Sequence, residues 1–127
     1  MYRVTIPMKL PSLNEYISAC KIKHGNWNKG NDMKQTTQAE MIYYLRSLPK
    51  FQKPIKIKFI WVSTKSDRRD LDNIAFGKKF ILDALQQAGR LSNDNRKHVI
   101  GFTDEFIYGN EYQVILEIEE KKWNTKD

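Results

Sequence analysis

Cysteine is nearly absent. The single Cys20 can form neither an internal disulfide nor a zinc site, which makes a reducing cytoplasm the expected compartment and a small buried apolar position the expected role. Histidine is almost as scarce: His24 and His98 show no metal-ligand spacing and read as ordinary loop and strand residues. Long apolar stretches are missing too. The longest runs are four or five residues, far short of a membrane span, and no charged-then-apolar leader opens the chain. Acidic residues are the minority, 15 against 22 basic, and the net charge of +7 favours a polyanionic partner. Nothing resembles a basic amphipathic anchor, so nucleic acid is the expected polyanion and no membrane is expected as a partner. The 127 residues suit one domain with one modest core, and 40% hydrophobic against 29% charged residues excludes a disordered chain.

Alternating elements run along the chain without a repeat. Tyr2, Val4 and Ile6 alternate with Arg3 and Thr5, the period of a half-buried strand, before Pro7 and Pro11 interrupt. Lys21 to Lys34, with Gly25, Gly30 and a single Trp27, reads as a long exposed loop. Ala39, Ile42, Tyr43 and Leu45 predict a helix over 35–48, ended by Pro49. Pro54 opens a strand with Ile55, Ile57, Phe59 and Trp61 on one face and Lys56 and Lys58 on the other, running from an edge toward the interior. A helix is predicted over 73–88, stopped by Gly89, then a strand over 99–108. After the turn signal Gly109-Asn110, Tyr112, Val114, Leu116 and Ile118 mark the last strand. The expectation is an α+β domain over 1–120 with one mixed β-sheet and two main helices, β-α-β-α-β-β, and a charged tail over 121–127.

The segment Arg68-Arg69-Asp70-Leu71-Asp72-Asn73, continuing through Lys78-Lys79 and Asp83 to Asn93-Asp94, mixes acids that suit a metal with bases that suit a phosphate. On a continuous helix counted from Asp72 as zero, Lys79 falls at about 340°, Asp83 at about 20° and Gln86 at about 320°, one polar stripe. Ile74, Gly77, Phe80, Ile81, Ala84, Leu85 and Ala88 fall between about 80° and 220°, an apolar face for the sheet. Helix side chains lean toward the N-terminus, so Lys79 is expected to reach back toward the acids while Lys78 lies off the stripe.

Asp-x-Asp by itself is weak evidence: with eight Asp in the chain, roughly four in ten shuffled chains would contain one. Asp72 or Asn73 capping the helix, with Asp70 in the preceding turn, is the plainer account. Capping does not account for the whole group. Two carboxylates about 4 Å apart repel by roughly 1 kcal/mol in water and about 4 kcal/mol at an effective dielectric of 20. A third from Asp94, if the fold brings it close, would call for a cation. Oxygen ligands without Cys or His suit Mg²⁺ or Mn²⁺, which would activate water against a phosphodiester.

These residues resemble the RusA family of Holliday junction resolvases. The likeness is carried by Asp70-Leu71-Asp72-Asn73, by Lys79-Phe80-Ile81-Leu82-Asp83-Ala84-Leu85 and by Asn93-Asp94, with Leu10-Pro11-Ser12-Leu13-Asn14-Glu15-Tyr16 similar to the phage and Gram-positive members. The resemblance implies a RusA-like homodimer that cuts four-way DNA junctions symmetrically in recombination and repair, one nick per subunit, with Mg²⁺ or Mn²⁺. It further implies Asp70, Asp72 and Asp94 as essential metal ligands, Lys79 as the essential lysine, in-line attack by water that expels the 3′-oxygen, and a phage or prophage origin. In the family the lysine usually follows the second Asp by four residues, whereas Lys79 follows Asp72 by seven. Ile74 to Gly77 thus includes an apparent three-residue insertion, and Lys78 stays a rival. The family's Asp-Asp loop is here Asn93-Asp94, leaving Asn93 as a supporting donor.

Around this set, Asn73 and Asp83 are expected to support the ligands and the lysine. Asp83 is placed either as the partner of Lys79 or as a solvated surface residue. Asp104 and Glu105 are expected at the surface. Lys65, Arg68 and Arg69, with Lys78, are expected near phosphates flanking the cut. Lys23, Trp27 and Lys29 are the expected DNA contacts of the Lys21–Lys34 loop, with Trp27 either stacked on an unpaired base or packed under its own loop. The alternatives are a non-catalytic DNA-binding module and a nuclease for flaps or other branched DNA.

Overall fold

A computed structural model describes residues 1–122, and they form a small single α+β domain with a mixed sheet. Strand β1 (Tyr2–Ile6) leads to helix α1 (Leu13–Cys20). The short strands β2 (Lys23–His24) and β3 (Trp27–Asn28) precede helix α2 (Lys29–Leu45) and strand β4 (Ile55–Ser63). Helices α3 (Leu71–Ala75) and α4 (Lys78–Gln87) then lead to strands β5 (Val99–Tyr108) and β6 (Gln113–Glu120). The four-stranded sheet has the order β1-β6-β4-β5, with β4 parallel to β5 and the other neighbours antiparallel. The parallel pair requires the crossover that α3 and α4 supply.

Strand periodicity holds well. Ile55, Ile57, Phe59 and Trp61 face the helices and are buried, as are Val114, Leu116 and Ile118 of β6. Strand β4 lies inside the sheet along its whole length, between β5 and β6. The turn after β5 does not make a hairpin, because residues 109–112 cross the end of β4 to place β6 on its far side. Gly109 permits that crossing: a Cβ there would lie 2.7 Å from Val62 Cγ1. The opposite sheet face carries a small separate cluster of Ile60, Val62 and Ile115.

The helices depart from expectation at three places. Helix α1 begins at Ser12, whose side chain accepts from Glu15 N while the Glu15 side chain accepts from Ser12 N, a full capping box. The Lys21–Lys34 segment is a β2–β3 hairpin followed by the first turn of α2, not an extended loop. Gly25 takes φ +57° in the tight turn, and Asn28 caps α2 by accepting from Asn31 N. The buried face of α2 is Gly30, Thr37, Gln38, Met41 and Leu45, while Ala39 and Tyr43 are exposed. Two of those buried residues are polar, which hides the face from a hydrophobic pattern.

The third departure bears on the site. The helix expected over 73–88 is two helices, broken at Phe76-Gly77, so an angular count from Asp72 to Lys79 does not apply. Backbone bonds tighten there to three-residue spacing, Gly77 N to Ile74 O at 3.1 Å and Lys79 N to Phe76 O at 3.0 Å. A Cβ on Gly77 would sit 3.0 Å from Leu10 and 3.1 Å from Trp61, so the break is pressed against the core. Within α4 the expected apolar face is in place, with Phe80, Ile81, Ala84 and Leu85 buried. The charged tail expected over 121–127 lies largely outside the described residues.

Candidate functional site

Asp70 and Asp72 stand at the head of α3, just past the C-terminal end of β4. Asp70 is the N-cap residue with an extended backbone, φ −70° and ψ 156°, yet its side chain makes no cap hydrogen bond. Asp72 lies in the first turn. Both are exposed, and neither carboxylate has a hydrogen bond or ion pair among the described residues. Asn73 is engaged differently, its Oδ1 accepting from Asn14 N at 3.2 Å and tying α3 to the start of α1.

The loop leading into this pair is held by Asp67. Its carboxylate accepts from Arg69 Nε at 2.9 and 3.1 Å, from Arg69 Nη2 at 2.8 Å and from Arg69 N at 3.0 Å. Those bonds hold the Asp67 carboxyl well below the usual carboxylate range against the opposing effect of burial. Arg69 also donates to Leu10 O at 3.1 Å and lies over the Tyr112 ring. Arg69 is therefore turned into the protein and pins the acid-bearing loop to the β1–α1 connection, whereas Lys65 and Arg68 are exposed on that loop.

The adjacent lysines point to different partners. Lys78 Nζ lies 2.8 Å from Asp104 Oδ2, near the rings of Phe59 and Phe102, and Trp61 Nε1 donates to Asp104 Oδ1 at 2.9 Å. Asp104 is thus the anchor of Lys78 on β5. Lys79 is 57% exposed, with Asp83 at 3.7 Å one turn on. Asp83 also holds Lys34 at 3.1 Å and Gln38 at 3.4 Å, linking α4 to α2. Lys34, Lys78 and Lys79 flank a groove of about 500 Å³ floored by Tyr16, Phe76, Phe80 and Leu82. A hydrogen bond with Cys20 and burial raise the Tyr16 hydroxyl above its ordinary value. Cys20 is half-buried rather than fully enclosed. Lys34 was hidden within the supposed loop; the cap signal at Asn28 is what would have placed it on a helix.

Asp94 is elsewhere. It is half-buried in the α4–β5 loop, whose neighbours Arg90 and His98 bond to Phe51 N and Ile55 N at the start of β4. Asn93 Oδ1 accepts from Asn95 N at 2.9 Å and shapes that loop. Asp70 and Asp72 follow the other end of the same strand. The nine residues of β4 at about 3.3 Å each put roughly 25 Å between the two ends. Among the described residues no three His, Cys, Asp or Glu side chains gather as a metal-holding group. Among the described residues the expected three-carboxylate cluster is therefore not assembled within one chain, because α3 and α4 together carry the chain back along the sheet between Asp72 and Asp94. Lys23 and Trp27 lie on the β2–β3 hairpin, where Trp27 is 44% exposed and stacks on His24 at 5.7 Å; Lys29 opens α2.

No helix among the described residues is long and apolar enough to cross a membrane. Compared with known proteins, the chain matches no family model and no curated protein sequence.

Proposed function

We propose that this chain is a divalent-metal-dependent, structure-selective endodeoxyribonuclease of the RusA type that nicks four-way DNA junctions as a homodimer. The observation that carries this reading is the pair Asp70 and Asp72: two neighbouring carboxylates at the head of α3 left without partners among the described residues. If capping were the reason for these residues, Asp70 at the N-cap would accept a backbone N–H, and it does not. Mg²⁺ is commonly held by one or two carboxylates together with substrate phosphates, so this oxygen pair fits it, with Mn²⁺ as a substitute. Asp70 and Asp72 would hold such an ion, which would supply Lewis-acid activation of water and offset charge on the phosphodiester.

The protein's own groups do the rest. Lys79, exposed and loosely tied to Asp83, is the cation free to approach a phosphate, while Lys78 is committed to Asp104. Arg69 holds the acid-bearing loop, and exposed Lys65 and Arg68 meet the flanking backbone. Lys23, Lys29 and the exposed Trp27 extend the contact, with Trp27 able to stack on an unpaired base.

The separation of Asp94 from the pair favours a second reading, a non-catalytic DNA-binding module. One panel decides between them: four-way, three-way, flap and linear DNA, each with and without Mg²⁺. The expected result is metal-dependent nicking confined to the four-way junction, lowered on the order of a hundredfold or more in Asp70→Asn and in Asp72→Asn with binding retained. Tight binding without cleavage at any metal concentration selects the module. Preference for flaps selects a different branched substrate.

A further inference from the structure

We infer that the groove between α1, α2 and the α3–α4 break holds a nucleotide whose base is out of its duplex stack, with the base on the aromatic floor and its phosphate at Lys34 and Lys79. Placing that nucleotide beside the scissile phosphate rests on the nuclease reading above; the groove's preference for an unpaired base does not.

The floor is a cluster of three rings from distant parts of the chain. Tyr16 of α1 lies 5.6 Å from Phe76, tilted by 34°, and both meet Phe80 edge-on at 5.8 and 5.7 Å. Phe80 is buried and anchors the cluster, whereas Tyr16 and Phe76 are half-buried and line the groove. The Tyr16 hydroxyl is held by Cys20 one turn along α1, which fixes the ring. Side chains already fixed lose little freedom when a flat molecule covers them. The volume of about 500 Å³ lies in the range of small-molecule sites.

An apolar floor alone would fit many ligands, and the rim narrows the choice. Asp83 is one carboxylate facing two amines, Lys34 at 3.1 Å and Lys79 at 3.7 Å, and Gln38 donates to it as well at 3.4 Å. One positive charge is left over there, on side chains 35% and 57% exposed. Lys78 adds nothing, because Asp104 balances it. A nucleotide carries the matching parts: a flat base with an apolar face, and an anion one sugar away. Bases of any sequence stack on aromatic side chains, and an ammonium holds a phosphate as a point charge. Within a duplex both faces of a base are covered by its neighbours, so only an unstacked base can lie on this floor. An acidic peptide supplies anions for the rim but no planar face for the rings.

The groove also adjoins the acids. Asp72, Ala75 and Phe76 are spaced i, i+3 and i+4 and share one face, and Phe76 N bonds to Asp72 O at 3.2 Å. The groove thus begins about one helical turn, roughly 5 Å, from Asp72. On the nuclease reading this makes it a selector for branched DNA, since drawing out a base costs least where pairing is already broken.

The test is photo-cross-linking in EDTA, where no metal supports cleavage. Iodouracil is placed in a single-nucleotide bulge and, separately, inside a matched duplex, and the linked peptides are mapped by mass spectrometry. The bulged base is expected to link to Tyr16 or Phe76 of wild type, about fivefold or more above the paired base. Linking confined to Trp27 and His24 of the hairpin, or equal linking of bulged and paired bases, overturns the proposal. Because the mapping uses wild type, it decides even where a variant fails to fold. Ala75→Leu, which fills the groove, and Lys34→Gln are each expected to weaken bulge binding by roughly five- to fiftyfold and matched-duplex binding by under about twofold. Equal losses on both DNAs overturn it. So does a Glu-rich peptide that binds as tightly as the bulge and is blocked by Ala75→Leu, which selects an acidic protein partner. Groove linking by a protein that never nicks junctions with Mg²⁺ removes the nuclease reading alone. Metal-dependent nicking without groove linking removes the nucleotide site alone.

Discussion

Three aspartates within six residues have separate fates. Asp67 is consumed by Arg69, whereas Asp70 and Asp72 have no partner among the described residues. Asp67→Asn is expected to destabilise the protein by about 2–3 kcal/mol at pH 7, since it leaves a largely buried guanidinium short of its counter-charge. Because the folded carboxyl titrates below its unfolded value, the stabilisation is complete above about pH 4 and is lost as pH falls further. Denaturant melts of wild type and Asp67→Asn should therefore differ equally from pH 7 to 5 and converge in stronger acid. The two lysines divide in the same way. Lys78→Ala leaves Asp104 to its bond from Trp61 Nε1 and should cost about 1 kcal/mol, while Lys79→Ala should cost under about 0.5 kcal/mol. On the proposed chemistry Lys79→Ala lowers turnover by about 10–100-fold with stability retained. Turnover lost only in Lys78→Ala would reverse that assignment.

At the scale of elements, the break between α3 and α4 separates the acids from the lysines. A Cβ at Gly77 would crowd Leu10 and Trp61 at 3.0–3.1 Å, so those side chains would have to give by a few tenths of an ångström. Gly77→Ala keeps an acceptable helical backbone but overpacks this contact, and thermal melts should show a loss of about 1–3 kcal/mol. The hairpin presents Trp27 exposed and stacked on His24, while Asn28 ties it to α1 and α2 through Cys20 O and Asn31 N. Trp27→Ala should leave the melting temperature unchanged while weakening junction binding by about 1–3 kcal/mol, read by titration of labelled DNA. Both features were hard to read from the chain. Gly77 sits at an apolar position of a regular pattern, and the force on it comes from Leu10 and Trp61, distant in sequence. Helix α1, by contrast, carried a legible Ser12-x-x-Glu15 capping signature.

Across the whole molecule, the helix-bearing side holds the unpaired acids, the lysine-flanked groove and the hairpin. The opposite sheet face is internally balanced, with Arg3 and Lys58 meeting Glu117 and Glu105. On the proposed function, DNA is therefore expected on the helix side. With a net charge of +7, junction affinity should fall steeply with salt, by on the order of a thousandfold between about 50 and 200 mM if six or more phosphates are contacted. A shallow salt dependence would argue against a phosphate-tracking surface.

Local periodicity in the chain was enough to determine the α+β class, strands β4 to β6, the inward faces of β4 and β6 and the buried face of α4. Alternation or helical spacing records which side of an element avoids water, and that record survives in one dimension. It does not record what lies opposite. Strand order, the break at Gly77, the capture of Arg69 by Asp67 and Leu10, and the pairing of Lys78 with Asp104 were decided by contacts between distant residues. The same holds for Asp94: nearness in sequence to the acidic pair becomes the length of a β-strand once α3 and α4 have run back along the sheet.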